Sequence, residues 1–267
     1  ENAARRGAIL RTRLTPMPYG IYLSAEGAAA QSQRLEVISN NLANVDTVGF
    51  KQDVPTFQAP FAEAIQRGLA SSHDGSINNI GGGVTMMDVT TDHSIGDLKR
   101  TGNDLDLAIT GNGFFHIRGD DGKEYLSRAG SFGLDTQGRL TTQNGHRPVL
   151  DQAGDEIVLD PTAPYTISDD GFIAQSGDVV AIGLSQPKSY NDMVKVGHNM
   201  FQSLGKVEPV PLEERSIRQG VLEMSGANSV RQMMAMIETT RAFEANSRMI
   251  QNQDSVLGTL IGRVLHA

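Results

Sequence analysis

The feature that most constrains this chain is a seven-residue apolar period running through both of its ends. Near the start, Ile21, Ala28, Leu35 and Leu42 fall seven apart, and the positions four further on are Ala25, Ser32 and Ser39. Near the end, Met236, Phe243, Ile250, Leu257 and Val264 keep the same period, with Thr240, Ser247, Asp254 and Ile261 four further on. Each stripe is half a coiled-coil seam, one strong column beside one small or polar column. Such a helix finds its natural partner in another helix. The pattern therefore predicts that the two ends meet and that other subunits complete the seam. The competing reading is an amphipathic helix packed on its own domain. Against it, a helix over 230–265 would span roughly 54 Å, longer than a small β body needs.

The segment between the stripes is turn-rich. Of 29 glycines, 22 lie between Gly68 and Gly220. Leu105–Ile109 and Phe114–Ile117 read as strands joined through Gly111-Asn-Gly113. Asp121-Gly122, Gln137-Gly138, Asn144-Gly145 and Asp170-Gly171 are hairpin signals, because glycine reaches positive φ without a Cβ clash. Residues 84–210 are thus expected to form a mainly antiparallel β domain. Before it, Asn40, Asn41 and Asn44 close the first helix, and Gly49 and Pro55 keep it from resuming. A short helix is expected around Phe61–Leu69, and a hinge at the Ile77–Gly83 tract, INNIGGG. Pro209 and Pro211 end the body, and Ser225 or Asn228 would cap the last helix.

The fold class is therefore α+β: N- and C-terminal helices forming a coiled-coil-like domain, with a central mainly antiparallel β domain. The expected partition is an extension at 1–16 that is disordered by default, helical segments at 17–50 and 220–267, an excursion at 51–83, the β domain at 84–210, and a linker at 211–219. The 1–16 stretch holds four Arg against one Glu, so the formal net charge of -8 leaves about -11 for the rest. An acidic body is a poor footprint for nucleic acid, which is held by clustered Lys and Arg. No apolar run reaches the length of a membrane span, and Ala8-Ile9-Leu10 is too short for the core of a secretory signal. Without cysteine there is no disulfide, thiol nucleophile or thiolate metal site.

Residue types that carry chemistry do not converge. Six histidines at 73, 93, 116, 146, 198 and 266 lack the three- or four-residue spacing of a helical metal site. The pairs Asp104/Asp106, Asp120/Asp121 and Asp169/Asp170 each sit beside Gly or Asn, where turn chemistry explains an acid. Gly111-Asn-Gly113 and the Gly81–Gly83 run lack the lysine and the strand-loop-helix setting of a phosphate loop. No catalytic, cofactor or metal residues are assigned, and no enzyme activity is expected.

Three motifs carry a resemblance. NNLANVDTVGFK, Asn40–Lys51, resembles the N-terminal signature of bacterial flagellar rod and hook proteins, with Asn40, Asn41, Asn44, Gly49, Phe50 and Lys51 in order. TGNDLDLAITGNGFFHI, Thr101–Ile117, and YLSRAGSFGLDTQGRL, Tyr125–Leu140, resemble the central motif of flagellar basal-body rod proteins. Gln219–Asp254 resembles the C-terminal signature of the same family. One departure stands out: Ser225-Gly226-Ala227 replaces the family's usual Ser-Asn-Val, which implies a looser entry to the last helix. Both proximal and distal rod types remain open.

The resemblance implies a structural subunit of the basal-body rod that assembles helically with itself and with other rod subunits through its terminal helices and transmits torque. It also implies a periplasmic place and export by the flagellar type III apparatus without a cleaved signal. Phe57-Gln-Ala-Pro-Phe61 resembles a short motif that engages the export gate, although burial of both rings against the β domain is an equal reading. The alternatives are a hook or hook-associated subunit and, from another class, an extracellular binding module with oligomerising helices.

Overall fold

The computed structural model describes residues 19–58 and 83–265. The 1–16 extension, the helix expected at 61–69, positions 77–82 of the glycine tract, Phe61, His73 and His266 lie outside the described residues. Two compact units divide the chain: Glu1–Leu35, Pro55–Asp88 and Ile237–Ala267 form one, Glu36–Val54 and Val89–Met236 the other.

Helix α1 spans Tyr19–Ala43 and α2 spans Ser229–Leu265. The α2 cap is Asn228, whose Oδ1 accepts from Arg231 N at 3.0 Å. Ser225 instead turns back on Ala227 N at 3.1 Å. Gly226 N donates to Phe50 O at 2.9 Å and Ala227 is buried, so the entry expected to be loose is fastened.

The strands follow in order: β1 (Asp53–Gln58), β2 (Thr85–Thr91), β3 (Leu98–Arg100), β4 (Leu107–Ile109), β5 (Phe114–Arg118), β6 (Glu124–Ser127), β7 (Phe132–Leu134) and β8 (Leu140–Thr142). After them come β9 (Tyr165–Ile167), β10 (Phe172–Gln175), β11 (Asp178–Ala181), β12 (Leu184–Pro187), β13 (Met193–Gly197), β14 (Met200–Ser203), β15 (Val207–Pro209), β16 (Ile217–Gln219) and β17 (Val221–Glu223). The largest sheet has six strands in the order β13-β14-β6-β5-β12-β15, and its pairs are antiparallel. The glycines of all four hairpin pairs, Gly122, Gly138, Gly145 and Gly171, sit at positive φ.

Alternation along β5 divides the core. Phe115 points into a cluster with Leu107, Phe132, Leu140, Ile157 and Leu184, while its neighbour Phe114 packs on the opposite face with Leu126 and Phe201. Phe115 meets Phe132 edge to face at 5.0 Å. The stretch 211–219, expected as a linker, contributes to the body: β16 pairs with β4 and puts Ile217 into the larger cluster. β17 then pairs with β3. Three-residue strands flanked by charged side chains carry too little periodicity to be recognised in sequence.

Candidate functional site

The Asn40–Lys51 stretch is built from side chains standing in for backbone. Asn44 closes α1 by donating both its N–H and its Nδ2 to Asn40 O, at 3.2 and 2.9 Å. Thr47 Oγ1 then donates to Asn44 Oδ1 at 3.2 Å. Asn41, buried, donates from Nδ2 to Asp53 O at 2.7 Å and accepts from Asp53 N at 2.9 Å. Its amide thus pairs with β1 as a strand residue would. Gly49 has φ +68°, and a Cβ there would lie 2.5 Å from the backbone of Arg128 and Ala129. Its N–H donates to Glu223 O at 2.8 Å. Only glycine allows that approach.

Lys51 ends this stretch inside the protein, 1% exposed. Its Nζ donates to Glu223 Oε1 at 2.5 Å and to Ser94 O at 2.7 Å. Glu223 Oε1 also accepts from Gly96 N at 3.0 Å. On the other side of the carboxylate, Arg128 Nε stands 3.5 Å from Glu223 Oε2. Arg128 Nη2 donates to Gly111 O at 2.8 Å, and the guanidinium lies over the Phe114 ring at 5.5 Å. Burial pushes Lys51 and Arg128 below their ordinary pKa values, and the attraction of Glu223 opposes that in both. Such a cluster persists because breaking it strands a charge in a dry interior.

Lys51, Arg128 and Glu223 come one each from the three motifs that carry the family resemblance. Sequence reading singled out Lys51 alone. The signal for the others was a single charge inside an otherwise apolar or small run, Leu-Ser-Arg-Ala-Gly and Val-Leu-Glu-Met. Lys195 also went unnoticed. Its Nζ donates to Lys51 O at 2.6 Å and to Asp53 Oδ1 at 2.7 Å while resting 4.6 Å from the Phe50 ring centroid. Nearby, His93 stacks on Tyr190 at 4.8 Å. Burial, with help from Lys51 and Lys195, lowers its pKa to about 4.

Among the histidines and acids set aside in sequence, His116, Asp106 and Asp121 have side-chain partners, and Asp169 a backbone one. His116 Nε2 bonds Ser185 Oγ at 2.6 Å. Asp106 accepts from Thr101 Oγ1 at 2.6 Å and from Asn103 Nδ2 at 3.1 Å, and Asp121 accepts from Tyr125 OH at 2.9 Å. Ile217 N donates to Asp169 O at 2.8 Å.

The helical stripes are placed differently. Ile21, Ala28, Leu35, Leu42, Met236, Phe243, Ile250 and Leu257 are half-buried, and Val264 is 76% exposed. The buried companions lie three positions on rather than four: Ser24 and Ile38 on α1, Thr239 on α2. Asp254, in the column four further on, is exposed. A Cβ on Gly20 would meet Gln253 Nε2 at 2.8 Å, and one on Gly27 would meet Asn246 Nδ2 at 3.0 Å. These contacts step seven residues in opposite directions along the two helices. At these approaches glycine meets a polar side chain, and Gln253 Oε1, like Gln31 Oε1 on α1, is buried without a hydrogen-bond partner. Apolar residues face outward instead, among them Met234, Ile237, Met249, Val256, Leu260 and Ile261, each more than half exposed. Phe57 is 37% exposed on β1.

The fold and its charged joint define the class: an α+β structural protein in which the segment leaving the first helix is fastened to the strand leading into the last. Family profiles agree at three places. Residues 21–51 match the flagella basal body rod protein profile, 108–179 the flagellar hook protein FlgE/F/G D1 domain, and 218–263 the flagellar basal body rod FlgEFG protein C-terminal region. The chain is similar to the flagellar basal-body rod protein FlgF of Caulobacter vibrioides, 32% identical over 93% of this chain and 98% of that one. It is also similar to the flagellar basal-body rod protein FlgG of Bacillus subtilis, 33% identical over 90% and 97%. The chain belongs to the flagellar basal-body rod protein family and is a structural rod subunit, not an enzyme. Among the described residues no helix is long and apolar enough to cross a membrane.

Proposed function

We propose that this rod subunit polymerises helically through α1 and α2, which pair as an antiparallel coiled-coil-like hairpin, and that the polymer transmits torque. One observation carries the reading: α2 sets Gln253 and Asn246 against Gly20 and Gly27 of α1 and leaves Met234, Ile237, Met249, Val256, Leu260 and Ile261 more than half exposed. An exposed apolar strip of this kind marks an interaction surface. The polar inner face makes a weak pair alone, so most helical stability comes with the neighbours. Head-to-tail contacts between unlike patches give an open polymer.

The same reading places the subunit in the periplasmic part of the basal body, exported by the flagellar type III apparatus without a cleaved signal. The partial exposure of Phe57 supports a role for Phe57 and Phe61 at the export gate. The names of the curated relatives favour rod over hook.

The test is incorporation into purified basal bodies by tagged Ile250→Asp, Leu257→Asp and Ile261→Glu subunits, each expressed in cells lacking the native copy. Loss of incorporation and of motility is expected for all three. Normal swimming with the Ile261→Glu subunit would remove the outward face from the account.

A further inference from the structure

A cavity of about 280 Å³ lies within the unit that contains the β region, walled by Thr47, Ser131, Asn144, Arg147, His198 and Asn199 with an apolar floor of Ile117 and Met200. Arg147 is 7% exposed. Its Nη2 donates outward to Asp120 Oδ2 at 2.7 Å, and Asp120 is 76% exposed on its side chain. Its Nε is buried with no hydrogen-bond partner. An unmade bond from a buried guanidinium costs more than from a neutral donor, so the atom calls for an acceptor. His198 and Asn199, on the cavity wall, hold positive φ as the two-residue turn of the β13–β14 hairpin.

We propose that this cavity is a carboxylate-binding site. Asp120, exposed, meets the guanidinium from outside through Nη2, and the Nε left without a partner is a charge-assisted donor of the kind a carboxylate oxygen accepts. Thr47 Oγ1 and Asn199 Nδ2 on the walls already donate to Asn44 Oδ1 and Val48 O, so Arg147 is the group that selects the ligand. The room suits a group the size of an acidic side chain or a small free acid, and the two sources share that chemistry. The inference does not depend on the helical assembly surface.

Titration of the full chain with sodium acetate, followed by the backbone amide resonances of Thr142 and Asn199, tests it. Saturable shifts are expected that sodium chloride at equal ionic strength does not produce. Arg147→Lys keeps the charge but loses the Nε donor, and it should weaken binding about tenfold. Asp120→Asn removes the competing acid from an exposed position and should tighten binding severalfold. Sedimentation in the presence and absence of acetate separates the sources. Acetate that dissolves self-association identifies an acidic side chain of a second copy, and binding without that effect identifies a free carboxylate. Shifts that do not saturate, that chloride reproduces, or that Arg147→Lys leaves unchanged overturn the proposal.

Discussion

The charged joint around Lys51 and the helical segments around Gly20 and Gln253 solve opposite problems. At the joint, charges are driven inside and meet the opposite charge within the chain, Lys51 and Arg128 on Glu223, while Arg128 Nε and Nη1 and Glu223 Oε2 make no hydrogen bond. Along the helices, Gln31 Oε1 and Gln253 Oε1 are buried without partners, while Val256, Leu260 and Ile261 face out. Charge in the first region is balanced within the chain, whereas in the second an apolar strip faces water. A subunit that must hold its shape and still join neighbours needs both.

The largest effect is expected at the joint. Glu223→Leu strands Lys51 and Arg128 together in a dry interior and should cost about 3–5 kcal/mol in urea unfolding. A loss as small as a surface substitution gives would show that the triad is solvated and the contrast false. Asn41→Ala should cost about 1–3 kcal/mol by the same measurement, because two backbone groups of Asp53 lose their partner.

A subtler difference concerns pH. The His93 pKa of about 4 in the fold lies below its ordinary 6.5, so the unfolded chain binds the proton over that interval. Stability then rises with pH between those values and declines as pH is lowered through them. His93→Phe should flatten that part of the stability curve relative to the parent protein, while an unchanged slope would place the dependence elsewhere.

The smallest effect is expected on the helices. Ile261→Glu should alter the stability of the isolated subunit by no more than about 0.5 kcal/mol, since the side chain already faces water. Destabilisation comparable to that of Asn41→Ala would mean that the outward face is packed within the subunit.

Much of this was legible in sequence. The helices announced themselves by period, the hairpins by their glycine pairs, and the helix end by Asn40, Asn41 and Asn44. Lys51 was recognisable, but Glu223 was not named as its partner, because 172 residues separate them and nothing local encodes a long-range pair. The stripes marked columns seven apart, and the buried residues beside them, Ser24, Ile38 and Thr239, lie three positions on rather than four. Seven-residue spacing fixes a column without choosing between three and four residues on, and the choice fell to the close approaches at Gly20 and Gly27. The strands at 217–223 were hidden by brevity. Arg147 drew no notice because an unpaired donor exists only in three dimensions.

Hydrogen exchange on the isolated full chain tests the central contrast most directly. The amides of Gly49, Gly96 and Gly226, each bonded into the joint, should exchange slowly, near the rate set by global unfolding. Those around Ile250 and Leu257 should exchange orders of magnitude faster. Equal protection in both regions would contradict the account and make the helices a self-sufficient core.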